Sequence, residues 1–165
     1  MIIFLSVSIN SGKSTVAKLL SKKLEKVAVV EIDSLRDFIS DVKLEDSIPI
    51  NLENAVSVTK NFVRHEFNVI VPYPLTQKNY EFMVNELIDL YVEVFFFTLS
   101  PSLAKSQSDT DTRKLTDWEK ERIKYHYDIG IANPKFGEMI DSTNQSPEET
   151  TLEILSRINY LQRTV

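Results

Sequence analysis

The spacing of hydrophobic positions changes several times along the chain, and each change predicts an element. Residues 2–7, Ile-Ile-Phe-Leu-Ser-Val, are a nearly continuous apolar run, the pattern of a strand buried on both faces. From Lys13 to Glu25 the spacing turns helical, with Val16, Leu19, Leu20 and Leu24 recurring. A second apolar run covers 27–32 and ends at Asp33, which is placed to cap a following helix. Leu52 to Phe67 reads as helix and Val69 to Val71 as a third strand, after which Pro72 and Pro74 stop regular pairing. A helix over about 77–90 puts Phe82, Met83, Leu87 and Leu90 on its apolar side, and 92–99, V-E-V-F-F-F-T-L, is the clearest strand of the chain.

The later helix starts carry their own punctuation. Ser100-Pro101 predicts an N-cap followed by proline at the first helical position, and Thr116 with Glu119 and Ser146-Pro147 with Glu149 both match a capping box. Glu138 to Asp141 predicts a short fifth strand between the last two helices. This alternation predicts an α/β three-layer sandwich: one domain over 1–165, with a five-stranded parallel sheet and helices on both faces. Residues 105–113, K-S-Q-S-D-T-D-T-R, lack apolar anchors and predict a mobile excursion from that core.

Composition narrows the partners. With 42% hydrophobic and 26% charged residues and a net charge of −5, the 165-residue chain is of globular type and has no broad basic footprint for nucleic acid. It contains no cysteine, so disulfides, Cys-ligated zinc and a thiol nucleophile are excluded. The apolar start lacks the basic residues of a signal peptide, and no apolar run is long enough to span a bilayer. The expectation is a cytoplasmic protein, monomer or homodimer, whose partner is a small molecule rather than a membrane or nucleic acid.

The chemistry centres on residues 8–15, S-I-N-S-G-K-S-T, set directly between the first strand and an amphipathic helix. In that context G-K-S-T is a phosphate-binding loop. Backbone N–H groups of Asn10, Ser11, Gly12, Lys13, Ser14 and Thr15 would line an anion-sized hollow at the helix N-terminus. Lys13 would reach the β- and γ-phosphates of ATP, and the Ser14 hydroxyl would join the shell of Mg²⁺. The pattern expects glycine five residues before Gly12, where this chain has Val7. The next segment, V-V-E-I-D-S-L-R, sets Glu31 and Asp33 two apart, so both would leave the second strand on one face. Asp33 would project toward the γ-phosphate as a base for an acceptor hydroxyl, and Arg36 would hold an anionic group of the acceptor. The plainer alternative for the pair is a helix cap and a solvated arginine.

The G-K-S-T loop followed some twenty residues later by D-S-L-R resembles the P-loop NTPases of the nucleoside monophosphate kinase-like group. That group includes adenylylsulfate kinase, polynucleotide kinase, chloramphenicol phosphotransferase, gluconate kinase and shikimate kinase. The resemblance implies Lys13, Asp33 and a lid arginine, Arg113, as catalytic residues, with Arg113 also contacting ATP. It makes Arg36 a substrate clamp, Glu31 with Ser14 the metal ligands, and 105–115 the mobile lid. At the end of strand 3, where many such enzymes hold an acid near Mg²⁺, the sequence has Pro72. Tyr73, Thr76 and Gln77 follow it and would shape acceptor binding. Arg113 stands alone beside Asp109 and Asp111, while Arg122, Tyr125 and His126 could face the cleft together from the next helix. Asn144 and Gln145 resemble the loop beside the adenine. The function implied is an ATP- and Mg²⁺-dependent kinase for a small-molecule acceptor. The alternatives are a nucleotide-binding protein with little catalysis, and a kinase of nucleotides or polynucleotide ends.

Overall fold

The structure is a computed structural model that describes residues 1–164 other than 7, 9, 11 and 110–113, with side chains described up to 162. Five parallel strands lie in the order β2-β3-β1-β4-β5. They are β1 (Ile2–Ser6), β2 (Val27–Val29), β3 (Asn68–Pro72), β4 (Val94–Leu99) and β5 (Glu138–Ile140). The helices are α1 (Lys13–Lys23), α2 (Ile32–Leu35), α3 (Leu44–Arg64), α4 (Gln77–Leu87), α5 (Leu103–Ser106), α6 (Asp117–Asp128) and α7 (Pro147–Thr164).

The apolar run at the start of the chain becomes the central strand because it can satisfy helices on both sides. Within β1, Ile2 and Phe4 face one layer and Ile3 and Leu5 the other, all fully buried. Ile2 and Phe4 pack with Val69 and Val71 against Leu52, Ala55 and Val56 of α3 and Met83 and Leu87 of α4. Ile3 and Leu5 pack with Ile70, Phe97 and Leu99 against Val16, Ala17 and Leu20 of α1 and Ile154 and Ile158 of α7. The register pairs Ile3 with Ile70 on one side and with Phe95 on the other, so the C-terminal ends of β1, β3 and β4 emerge together. Aromatic rings fill the first layer: Phe4 stacks on Phe96 at 4.6 Å between centroids, and Tyr80 on Phe136 at 4.0 Å.

Both predicted capping boxes form. Thr116 Oγ1 accepts from Glu119 N at 3.2 Å while Glu119 Oε2 accepts from Thr116 N at 2.9 Å. Ser146 and Glu149 make the same exchange at the start of α7. Several boundaries differ from expectation. The second strand stops at Val29, and α3 starts at Leu44, eight residues ahead of the predicted start at Leu52, carrying Pro49 inside it. Burial of Ser47, Asn51, Leu52, Ala55 and Thr59 along one face holds that helix together across the proline. The helix after β4 is capped by Ser102, whose Oγ accepts from Lys105 N at 3.2 Å, two residues beyond the predicted Ser100.

Candidate functional site

Two cavities open at the C-terminal ends of the strands, where an open parallel sheet places its ligands. The first, about 500 Å³, is lined by Asn10, Gly12, Lys13, Ser14, Thr15 and Val16 from the loop and the start of α1. Leu99, Pro101 and Lys105 close one side, and Ser142, Gln145, Pro147 and Thr150 another. Gly12 has φ +83° at the N-cap of α1, a left-handed conformation that L side chains rarely adopt. A Cβ there would meet nothing within 4 Å, so glycine is required by the backbone angle and not by crowding. Its carbonyl accepts the N–H of Val16 at 2.9 Å, while the N–H groups of the preceding first turn have no acceptor four residues back within the helix. A helix start with such donors and Lys13 beside them is suited to polyphosphate.

Side chains fix the loop from three directions. Ser6 Oγ accepts from Leu75 N at 3.0 Å, tying the end of β1 to the segment after β3. Asn10, itself at φ +60°, donates its amide to the carbonyls of Ser106 and Ser108, each at 3.0 Å, joining the loop to the end of α5 and the turn after it. Ser8 Oγ lies 3.3 Å from His126 Nδ1 in the buried interior, joining it to α6.

The second cavity, about 260 Å³, is lined from α3 by Leu44, Glu45 and Ile48 and after β3 by Tyr73, Pro74, Thr76 and Asn79. The remaining wall is Arg122, Tyr125, His126, Ile129 and Ile131, and the Arg122 guanidinium lies over the Tyr125 ring at 5.1 Å. Charges from the two cavities act on shared neighbours. Burial, with Arg122 and Lys13 nearby, pushes the His126 imidazole down to about 4, so it is neutral at physiological pH. Burial, reinforced by Asp33 and opposed by Arg122, pushes the Tyr73 hydroxyl up to about 12. Glu31 is raised by burial, with Lys13 opposing and Asp33 adding to the rise. Lys13 thus acts on both Glu31 and His126, and Arg122 on both His126 and Tyr73, while Glu31 and Asp33 themselves line neither cavity.

The chain matches no protein-family model and no curated protein sequence. Solved structures match it along nearly its whole length. The tunicamycin resistance protein of Deinococcus radiodurans superposes with a TM-score of 0.70 at 17% identity, over 95% of this chain and 94% of that one. The APS kinase of Mycobacterium tuberculosis in complex with AMPPNP and APS gives 0.70 at 20% identity, over 96% of each chain. The shikimate kinase of Aquifex aeolicus gives 0.61 at 18% identity, over 98% of each. This is the P-loop kinase fold.

Within that fold the carboxylates arrive differently from the sequence expectation. Because β2 ends at Val29, Glu31 occupies the N-cap of α2 and Asp33 its first turn, so neither leaves a strand. Asp33 is not the cap of that helix either. The two still share a neighbourhood, since the short helix keeps Asp33 close enough to raise the Glu31 carboxyl. Arg36 is exposed in the 3-10 turn after α2 and is absent from the lining of the second cavity, where Arg122 stands instead. Tyr73 and Thr76 reach that cavity, whereas the Gln77 amide donates to Glu81. Gln145 lines the first cavity and Asn144 does not. The Gln145 amide is held from behind, accepting from Thr150 Oγ1 at 2.9 Å and donating to Glu153 at 2.6 Å. Ser11, Val7 and Arg113 lie outside the described residues. Lys105, Leu44, Ile48, Ile129 and Ile131 carried no motif to mark them, and only the folding of distant segments reveals their place.

Among the described residues, no group of three or more His, Asp or Glu side chains converges on a point. Magnesium does not require one, because it keeps several waters and takes one or two protein ligands beside the phosphates. Ser14 in the phosphate cavity and Glu31 near Lys13 fit that donor set. No helix among the described residues is long and apolar enough to cross a membrane.

Proposed function

We propose that this chain is an ATP- and Mg²⁺-dependent phosphotransferase that moves the γ-phosphoryl group to a hydroxyl of a small molecule. The observation that carries this reading is how the phosphate-binding loop meets the second cavity: Lys13 lines the first cavity, His126 lines the second, and Ser8 of the loop lies 3.3 Å from His126 Nδ1. A nucleotide with its polyphosphate against Gly12–Thr15 would present its terminal phosphate to an acceptor held between Tyr73 and Arg122.

Catalysis in such a site is positioning plus electrostatic stabilisation. Lys13 holds the β- and γ-phosphates, and Arg122 and Arg113 supply further positive charge to the transferring oxygens. Ser14 and Glu31 would hold Mg²⁺, which neutralises phosphate charge when bound. The acceptor oxygen bonds to the γ-phosphorus as the bond to the β,γ-bridging oxygen breaks, ADP leaves, and Asp33 accepts the hydroxyl proton. The test is ADP release by wild-type protein against pooled metabolites, with Lys13→Ala as the control. Acceptor-dependent release in at least one pool, lost in the variant, is the expected result.

A second reading, a nucleotide-binding protein with little turnover, is favoured by one observation. Pro72, paired with Leu5, ends β3 where relatives of this kind place an acid near the metal. Tight binding of MgATP with no acceptor-dependent ADP release in any pool would support it over the first.

A further inference from the structure

The second cavity has an uneven chemistry that bears on what fills it. Apart from Tyr73 and Pro74, its wall includes Leu44, Ile48, Tyr125, Ile129 and Ile131. Three of these remain substantially uncovered by the chain: Leu44 is 36% exposed, Tyr125 48% and Ile129 45%. Trp118, 63% exposed, lies outside the lining but on the same side of α6, because positions 118, 122 and 125 fall within a narrow arc of that helix and Ile129 is its C-cap. Apolar side chains converging on a polar junction, and left wet, are the lining of a ligand site.

The charged groups there are few and nearly cancel. Among the described lining residues, Arg122 is the one cation and Glu45 the one acid. Asp33 adds negative potential at Tyr73, and His126 contributes no positive charge near neutral pH. A doubly charged phosphate monoester would meet as many carboxylates, Glu45 and Asp33, as cations, Arg122 and Lys13. A polyol would leave most of the apolar wall uncovered and would find few partners for its hydroxyls.

We infer that the acceptor is an alcohol with an apolar, ring-bearing body and no more than one negative charge, its ring against Leu44, Tyr125 and Ile129 and its hydroxyl toward Asp33. This rests on the phosphotransferase reading for the word acceptor, but the pocket's preference is measurable as binding alone. The chain has a single tryptophan, Trp118, on the same helical face, which gives a fluorescence readout independent of turnover.

Three matched probes separate the possibilities: 3-phenylpropane-1,2-diol, glycerol, and glycerol 1-phosphate, each titrated in the presence of AMPPNP and Mg²⁺. The phenyl diol is expected to saturate the Trp118 signal at a concentration about tenfold or more below glycerol, with glycerol 1-phosphate weakest. Ile129→Lys, at an exposed position, is expected to reverse the order by removing apolar wall and adding a second cation. Tighter binding of glycerol 1-phosphate than of the phenyl diol to the wild-type protein, or no saturable response to the phenyl diol, overturns the inference. Calorimetry with MgATP on the same preparation keeps the two claims apart. Absent nucleotide binding with the phenyl diol order intact overturns the phosphotransferase reading and supports the pocket assignment.

Discussion

The two cavities of this molecule are built in opposite ways. Six residues of the phosphate cavity come from one stretch, Asn10 to Val16, and their spacing alone announces their chemistry. The second cavity gathers residues between Leu44 and Ile131 from α3, the segment after β3, and α6 with the turns that follow it. The first is lined by a lysine, hydroxyls and backbone donors suited to one ligand part, a polyphosphate. The second is a largely apolar wall with one cation among its described lining residues. A shared cofactor demands a compact, repeated solution, whereas a particular substrate is accommodated by whichever side chains the fold brings around it.

The comparison breaks most sharply at Lys13. Lys13→Ala is expected to lower acceptor-dependent ADP release by about 10³-fold or more while leaving phenyl diol binding at Trp118 unchanged, because only the phosphate side is touched. Asp33→Asn should instead lower kcat by roughly 10²-fold with the KM for ATP unaltered, as removal of a general base does. Steady-state kinetics with unchanged kcat would remove Asp33 from that role.

The junction between the cavities predicts a pH effect. His126 faces Ser8 of the loop, Arg122 of its own helix and Lys13 of α1, and its imidazole is pushed from 6.5 down to about 4. The unfolded chain therefore binds a proton that the folded chain refuses. This contribution is full above about pH 6.5 and is lost as the pH falls toward about 4, amounting to at most about 3 kcal/mol. Urea unfolding of wild type and His126→Asn across pH 4–7 should show the variant's stability falling less steeply; parallel curves would refute it. The smallest effect concerns the wall of the first cavity around Gln145. Arg157 bonds Glu138 at 3.0 Å and Glu153, which in turn holds Gln145. Arg157→Met should cost about 1 kcal/mol of stability and raise the KM for ATP a few-fold, since these groups are partly solvated.

The legibility of each part follows from the range of the interactions that define it. Both capping boxes appear as read, because a cap is decided by residues three apart. The run 27–32 misled because apolar residues suit strand and helix start equally: Val30 and Ile32 are buried, yet Ile32 already belongs to α2. Pro49 and the acidic residues before it hid the first eight residues of α3, whose helical state is upheld by packing rather than propensity. Arg36 looked like the anion clamp because it follows Asp33 by one helical turn, but the chain turns it outward and swings Arg122 inward from 86 residues further on.

Sequence by itself determined the layered sheet and the phosphate loop. Strand burial is written as continuous apolar runs, and a backbone anion site needs only a strand, a left-handed glycine and a helix start in succession. Tertiary structure decided which arginine lines the second cavity, that His126 is buried against Ser8, and that Leu44, Tyr125 and Ile129 form one wall. Those outcomes depend on helices brought together over tens of residues by core packing, where charge and burial are set by neighbours that no local spacing records.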